Sequence, residues 1–165
     1  MTTPVAYFVP YVRAGRLLKR LERRTAPNVD LAEALAEYEV DVQAFFLICW
    51  HIWDWVKNDV GITSTLRQAI TGAAYASPVL CLCHDLANGT KHYTLSRPKL
   101  PPPGARQGSV EVERRDDATT WRFQIVLPDG TVRWVDEIAR EALDAWSAIL
   151  SAHGFVAPRL FDGVN

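Results

Sequence analysis

The chain has 165 residues and a mass of 18.5 kDa, with 48% hydrophobic, 22% charged and 10% aromatic residues. That is the composition of one globular domain, not of a disordered or fibrous segment. Lys and Arg total 18 against 19 Asp and Glu, a net charge of −1, so no whole-chain basic field advertises nucleic acid or a membrane surface. Three cysteines without disulfide spacing, no stretch that reads as a secretory signal, and an apolar run near Phe45–Trp55 broken by His51 and Asp54 predict a cytoplasmic protein with no membrane partner.

The first helix is expected from Pro10, a residue suited to a first turn, to about Arg24, supported by Val12, Leu17, Leu18 and Leu21. Its outer face carries Arg13, Arg16, Lys19, Arg20, Arg23 and Arg24, either a solvated surface or a place for phosphate. Asp30, followed three residues later by Glu33, is an N-cap in capping-box spacing. From there apolar residues recur at Leu31, Leu35, Tyr38, Val42, Phe45, Cys49, Ile52 and Val56 in steps of four and three, one continuous helical stripe. Phe46, Leu47, Trp50, Trp53 and Trp55 fill the other sides, which marks the central helix of a bundle. A shorter helix follows over Ser64–Tyr75, with Leu66, Ala69, Ile70 and Ala73 inward. Ser77-Pro78 starts another, which Asn88-Gly89 either interrupts or lets pass toward Tyr93.

Residues 96–108 hold Pro98, Pro101, Pro102, Pro103, Gly104 and Gly108 and read as an extended linker. Beyond it the period changes from about 3.6 to 2. Val110 and Val112, then Trp121, Phe123, Ile125 and Leu127, alternate with polar residues, and Pro128-Asp129-Gly130 turns the chain into Thr131–Val135. A last helix over 136–154 places Ile138, Ala142, Leu143, Trp146, Ile149 and Leu150 inward and ends at Gly154. The expected fold is therefore α+β, mainly α, in a single domain over 1–165. It comprises a helical core over 5–95, a linker over 96–108, a three-stranded antiparallel meander over 109–135 and the closing helix, making four or five helices in all.

Two segments set polar groups among apolar ones. In CWHIWDW, His51 and Asp54 are three apart on one helix face. In HDLANGTKH, a helix continued through Gly89, at about 1 kcal/mol relative to alanine, puts Asp85, Asn88 and His92 on one stripe. Packing the two helices antiparallel predicts one network of His51, Asp54, Asp85, Asn88 and His92, because such groups are costly to bury unless they bond one another. That network either fixes helix register, forms a catalytic or ligand-binding cleft, or holds a metal. Two His and two Asp suit zinc, iron or manganese, but no Glu-x-x-His or His-x-x-x-His pair occurs, and His84 with Asn88 adds only a pair four apart. In Cys81-Leu82-Cys83-His84 the cysteines point to different helix sides. Gly-x-Ser-x-Gly, P-loop and Gly-x-Gly-x-x-Gly motifs are absent. No metal and no cofactor are therefore assigned.

The combination His51-x-x-Asp54-Trp55 and Asp85-x-x-Asn88-Gly89-x-Lys91-His92 resembles the signature of a family of uncharacterised bacterial proteins over most of residues 30–95. More distantly it is similar to HEPN domains, small helical bundles that are often dimeric ribonucleases of toxin–antitoxin and phage-defence systems. The HEPN motif pairs an Arg with a following His. With Asn88 and His92 aligned to it, Ala87 stands where the Arg belongs, and Lys91 is the neighbouring cation. The resemblance implies a homodimer and RNA or nucleotide as partners. It gives His92, Lys91, Asp85 and Asn88 catalytic roles in metal-independent, ribonuclease-like cleavage, and gives His51, Asp54 and Trp55 binding roles. The competing expectations are a non-catalytic interaction protein whose polar cluster fixes helix packing and, third, a metal-dependent enzyme.

Overall fold

The structure is a computed structural model and describes residues 7–22, 25–27, 30–89, 105–115 and 118–156. The elements run α1 (Phe8–Glu22), β1 (Thr25–Pro27), α2 (Leu31–Asn58), α3 (Ser64–Ala76), α4 (Pro78–Gly89), β2 (Arg106–Arg115), β3 (Ala118–Val126), β4 (Val132–Trp134) and α5 (Val135–Ala152). The fold is α+β and mainly α, as the change of period implies.

Local chemistry explains the boundaries. Asp30 caps α2, its side chain accepting from Ala32 N at 2.9 Å and Glu33 N at 3.4 Å. Thr63 caps α3 by accepting from Leu66 N. Ser77 alone separates α3 from α4. Its N–H ends the first helix on Ala74 O, and its carbonyl opens the second by accepting from Cys81 N. Pro10 sits in the first turn of α1.

The stripe on α2 is the axis of the core: Tyr38, Val42, Phe45, Cys49, Ile52 and Val56 are all buried. α1 packs along α2 and α5 through Tyr11, Ala14, Leu18 and Leu21, whereas Val12 and Leu17 are half-buried at its margin. α3 buries Ile70 and Ala74, and Ala69, expected inward, is exposed. α5 carries its whole expected face inward except Ile149, which is half-buried. Trp146 fills the centre, and its indole N–H donates to the Cys49 carbonyl at 3.0 Å, satisfying the one polar atom that its burial would otherwise strand. No described helix is long and apolar enough to cross a membrane.

The meander β2–β3–β4 is antiparallel, with Val112 opposite Trp121, Val110 opposite Phe123 and Gln124 opposite Trp134. Trp121, Phe123 and Ile125 turn inward, and Phe123 stacks on Tyr38 of α2 with centroids 4.9 Å apart. β1 adds three residues to the other edge of β3, Thr25 opposite Thr120. β2 begins at Arg106, inside the segment expected to be linker. A register shift between Gln107 and Val110 spans Gly108, where a Cβ would lie 3.0 Å from Val126 Cγ2 and 3.2 Å from the Gln124 carbonyl. Linker residues 96–104 lie outside the described residues.

Candidate functional site

α4 is short and almost wholly buried: Val79 through Cys83, then Asp85, Leu86 and Ala87, face neighbouring helices. His84 and Asn88, four residues apart, share a flank that reaches solvent, where the His84 side chain is 14% exposed. His84 is the hub of the polar cluster. Its Nδ1 lies 2.8 Å from Oδ1 of the fully buried Asp85, and its Nε2 lies 3.0 Å from Asn88 Nδ2, which also donates to the His84 carbonyl. The pattern fits the neutral ring with Nδ1–H donating to the carboxylate and Nε2 accepting from the amide. A carboxylate behind an imidazole fixes its tautomer and orientation, leaving Nε2 as the basic nitrogen.

An aromatic wall stands beside this ring. Trp50 meets His84 edge-on at 4.7 Å and stacks on Trp53 at 5.6 Å, and Tyr75 of α3 sets its edge against both tryptophans. Trp53 is held by its N–H to Thr71 Oγ1 at 3.2 Å, and Lys57 places its ammonium 4.8 Å from the centre of the Trp53 ring. Burial, and then the nearby charge of Asp54, push the Tyr75 phenol above its ordinary range. Asp54 is thus electrically close to the wall.

The expected five-residue network is divided in the described part. His51 and Asp54 do pair, Nδ1 to Oδ2 at 3.3 Å, but on the outside of α2 with side chains 42% and 38% exposed. Asp85, fully buried, holds His84. Trp55, expected to bind, is among the exposed large apolar residues. Lys91 and His92, and with them any continuation of the helix past Gly89, lie outside the described residues. Adjacent residues on a helix point about 100° apart, so no spacing rule joins His84 to Asp85. The signal the sequence carries is His84 with Asn88, four apart.

The cation-rich face of α1 does not open onto this cluster. Arg20 pairs with Asp41 at 2.9 Å, and Asp41 and Trp50, nine residues apart, stand roughly 180° apart around α2. Arg23 and Arg24 lie outside the described residues. The cysteines are packing elements: Cys81 Sγ donates to Tyr75 O, and burial beside Cys49 raises the Cys83 thiol well above its ordinary range. Among the described residues no three His, Cys, Asp or Glu side chains converge as metal ligands. The chain matches no family model, no curated protein and no solved structure.

Proposed function

We propose that this is a cytoplasmic, bacterial, HEPN-like protein that binds RNA or nucleotides on the α4 flank, with metal-independent, ribonuclease-like cleavage as the activity to assay. The observation that carries the reading is His84, partly open to solvent, backed by the buried Asp85 and walled by Trp50, Trp53 and Tyr75. Tryptophan and tyrosine faces bind bases by stacking, at about 1–3 kcal/mol per base, whatever the sequence. Lys57 on the same wall is a point charge for phosphate. An imidazole whose Nδ1–H is anchored offers Nε2 as a base for a 2′-hydroxyl once the Asn88 amide swings aside. In this reading Lys91 holds phosphate and His92 is the catalytic histidine of the HEPN-like motif, and a second copy completes the domain as in HEPN dimers.

A second reading is favoured by a specific observation. The bonds of His84 and Asn88 close within α4, and the basic face of α1 lies across α2 from them. On that account the cluster fixes how α4 seats on α2, and the protein is a non-catalytic interaction module.

The test is anisotropy of a fluorescent single-stranded RNA oligonucleotide at low salt, with cleavage followed on gels in chelator. Wild-type protein should bind and quench its own tryptophan emission. His84→Ala, Lys57→Ala and His92→Ala should weaken binding or cleavage, with circular dichroism showing the fold retained. Wild-type protein that neither binds nor cleaves would overturn the proposal in favour of the interaction module.

A further inference from the structure

Of the two tryptophans in the aromatic wall, Trp53 is the one a base can reach: Trp50 is 6% exposed, whereas Trp53 is half-buried. The neighbours of Trp53 on α2 lie one turn to either side, Trp50 three residues before it and Lys57 four after. Trp50 covers the ring from one turn, nearly parallel at 25° with centroids 5.6 Å apart. Lys57 covers it from the other, its ammonium 4.8 Å from the ring centre. The surface on which a base would stack is therefore already taken by a cation.

The same contacts decide which side chain gives way. Trp53 is pinned, its indole N–H donating to Thr71 Oγ1 at 3.2 Å and its ring meeting Tyr75 at 5.8 Å and 73°. Lys57 is exposed, rides on a flexible four-carbon stem and pairs with no carboxylate among the described residues. Asp54, three residues before it, is held instead by His51 Nδ1 at 3.3 Å. The charge of Asp54 reaches Tyr75. An anion is thus opposed at the Tyr75 end of the wall and drawn to the Lys57 end.

We propose that Lys57 is a latch on Trp53 that phosphate releases, so that the wall accepts a base only when the base carries a phosphate within reach of the ammonium. The ligand class is then a nucleotide, free or within a strand, and not a nucleoside or a bare aromatic ring. The inference rests on the nucleotide-binding reading of the α4 flank and adds the source of its selectivity. A cation over an exposed ring shifts an equilibrium by about two- to fivefold, and a nucleoside must forfeit that contact. A charge-assisted bond from ammonium to phosphate is stronger, so a nucleotide more than recovers the loss.

Adenosine, AMP and a short oligoadenylate should be titrated by calorimetry into the full-length wild-type protein and Lys57→Ala. In parallel, NMR should follow the ε-methylene protons of Lys57, which the Trp53 ring current shifts upfield while the ammonium lies over it. Wild type is expected to bind AMP more tightly than adenosine, and AMP to return the Lys57 signal toward its random-coil position. Lys57→Ala should tighten adenosine about two- to fivefold and weaken AMP about fivefold, opposite signs that a damaged fold does not produce. Whichever of AMP and oligoadenylate moves the Lys57 signal at the lower concentration identifies the source of the nucleotide, and either one supports the latch. AMP binding that leaves the Lys57 signal upfield, or a Lys57→Ala variant that binds adenosine no more tightly than wild type, would overturn the latch and leave the nucleotide reading standing. Wild-type protein that binds none of the three would overturn both.

Discussion

His84→Ala isolates what the polar cluster contributes to stability. The substitution removes a 2.8 Å bond to a carboxylate with no exposure to solvent, and an edge contact with Trp50 at 4.7 Å. A hydrogen bond to a charged group contributes about 1.5–3 kcal/mol, and an aromatic edge contact about 0.5–1 kcal/mol beyond its area. The loss should reach roughly 2–4 kcal/mol, which for a domain of this size lowers Tm by about 5–15 °C. Asp85→Asn keeps the shape and one acceptor, so it should cost less, about 1 kcal/mol. Urea unfolding of wild type, both single variants and the double variant gives the coupling energy between the two residues. A coupling of about 1–2 kcal/mol is expected. If the single effects add to within about 0.5 kcal/mol, Asp85 and His84 do not hold one another, and the account of the site given above fails.

Two further outcomes follow from single side chains. The Asp41 carboxyl is pushed up by burial, and Arg20 at 2.9 Å only partly offsets this, so the fold favours the protonated form. Its contribution is full below the unfolded value of 3.8 and is lost as pH rises through the folded one. Asp41→Asn should therefore raise the urea midpoint at neutral pH and lose that advantage near pH 3, and equal midpoint changes at both pH values would refute this. Alanine at two glycines should act in opposite directions. Gly72, inside α3 with nothing within 4 Å of a Cβ, should gain about 0.5–1 kcal/mol, while Gly108 should lose about 1–3 kcal/mol, because the Cβ meets the Gln124 carbonyl at 3.2 Å; thermal melts of both variants decide.

What could be read in advance depended on how local each cause was. The Asp30 cap, the first-turn proline, the four-three stripe from Tyr38 to Val56 and the switch to period two are short-range patterns, and they reappear as α1, α2 and the meander. β1 could not be seen, because nothing in Thr25-Ala26-Pro27 marks a strand until β3 offers Ala118–Thr120 as a partner. Gly108 argues against a strand from its own propensity, yet the close approach of Val126 and Gln124 leaves little room for a side chain there. The site was half legible. The His51–Asp54 spacing produced its pair, but its distance from Asp85 in environment is set by which faces of α2 and α4 meet, and one helix alone does not encode that.

The placement of α5 bears on how the chain folds. Its residues close the core against partners made long before them. Tyr11 donates to Leu143 O across 132 positions, Arg140 to Glu22 across 118, and Trp146 to Cys49 O across 97. Until α5 has left the ribosome, α1, α2 and α4 can cover only one another, and the part of their inner faces that α5 closes is the surface a chaperone would hold. The rate at which the protein matures in the cell should therefore be governed by the docking of α5, a step of high sequence separation, and not by helix formation, which is fast.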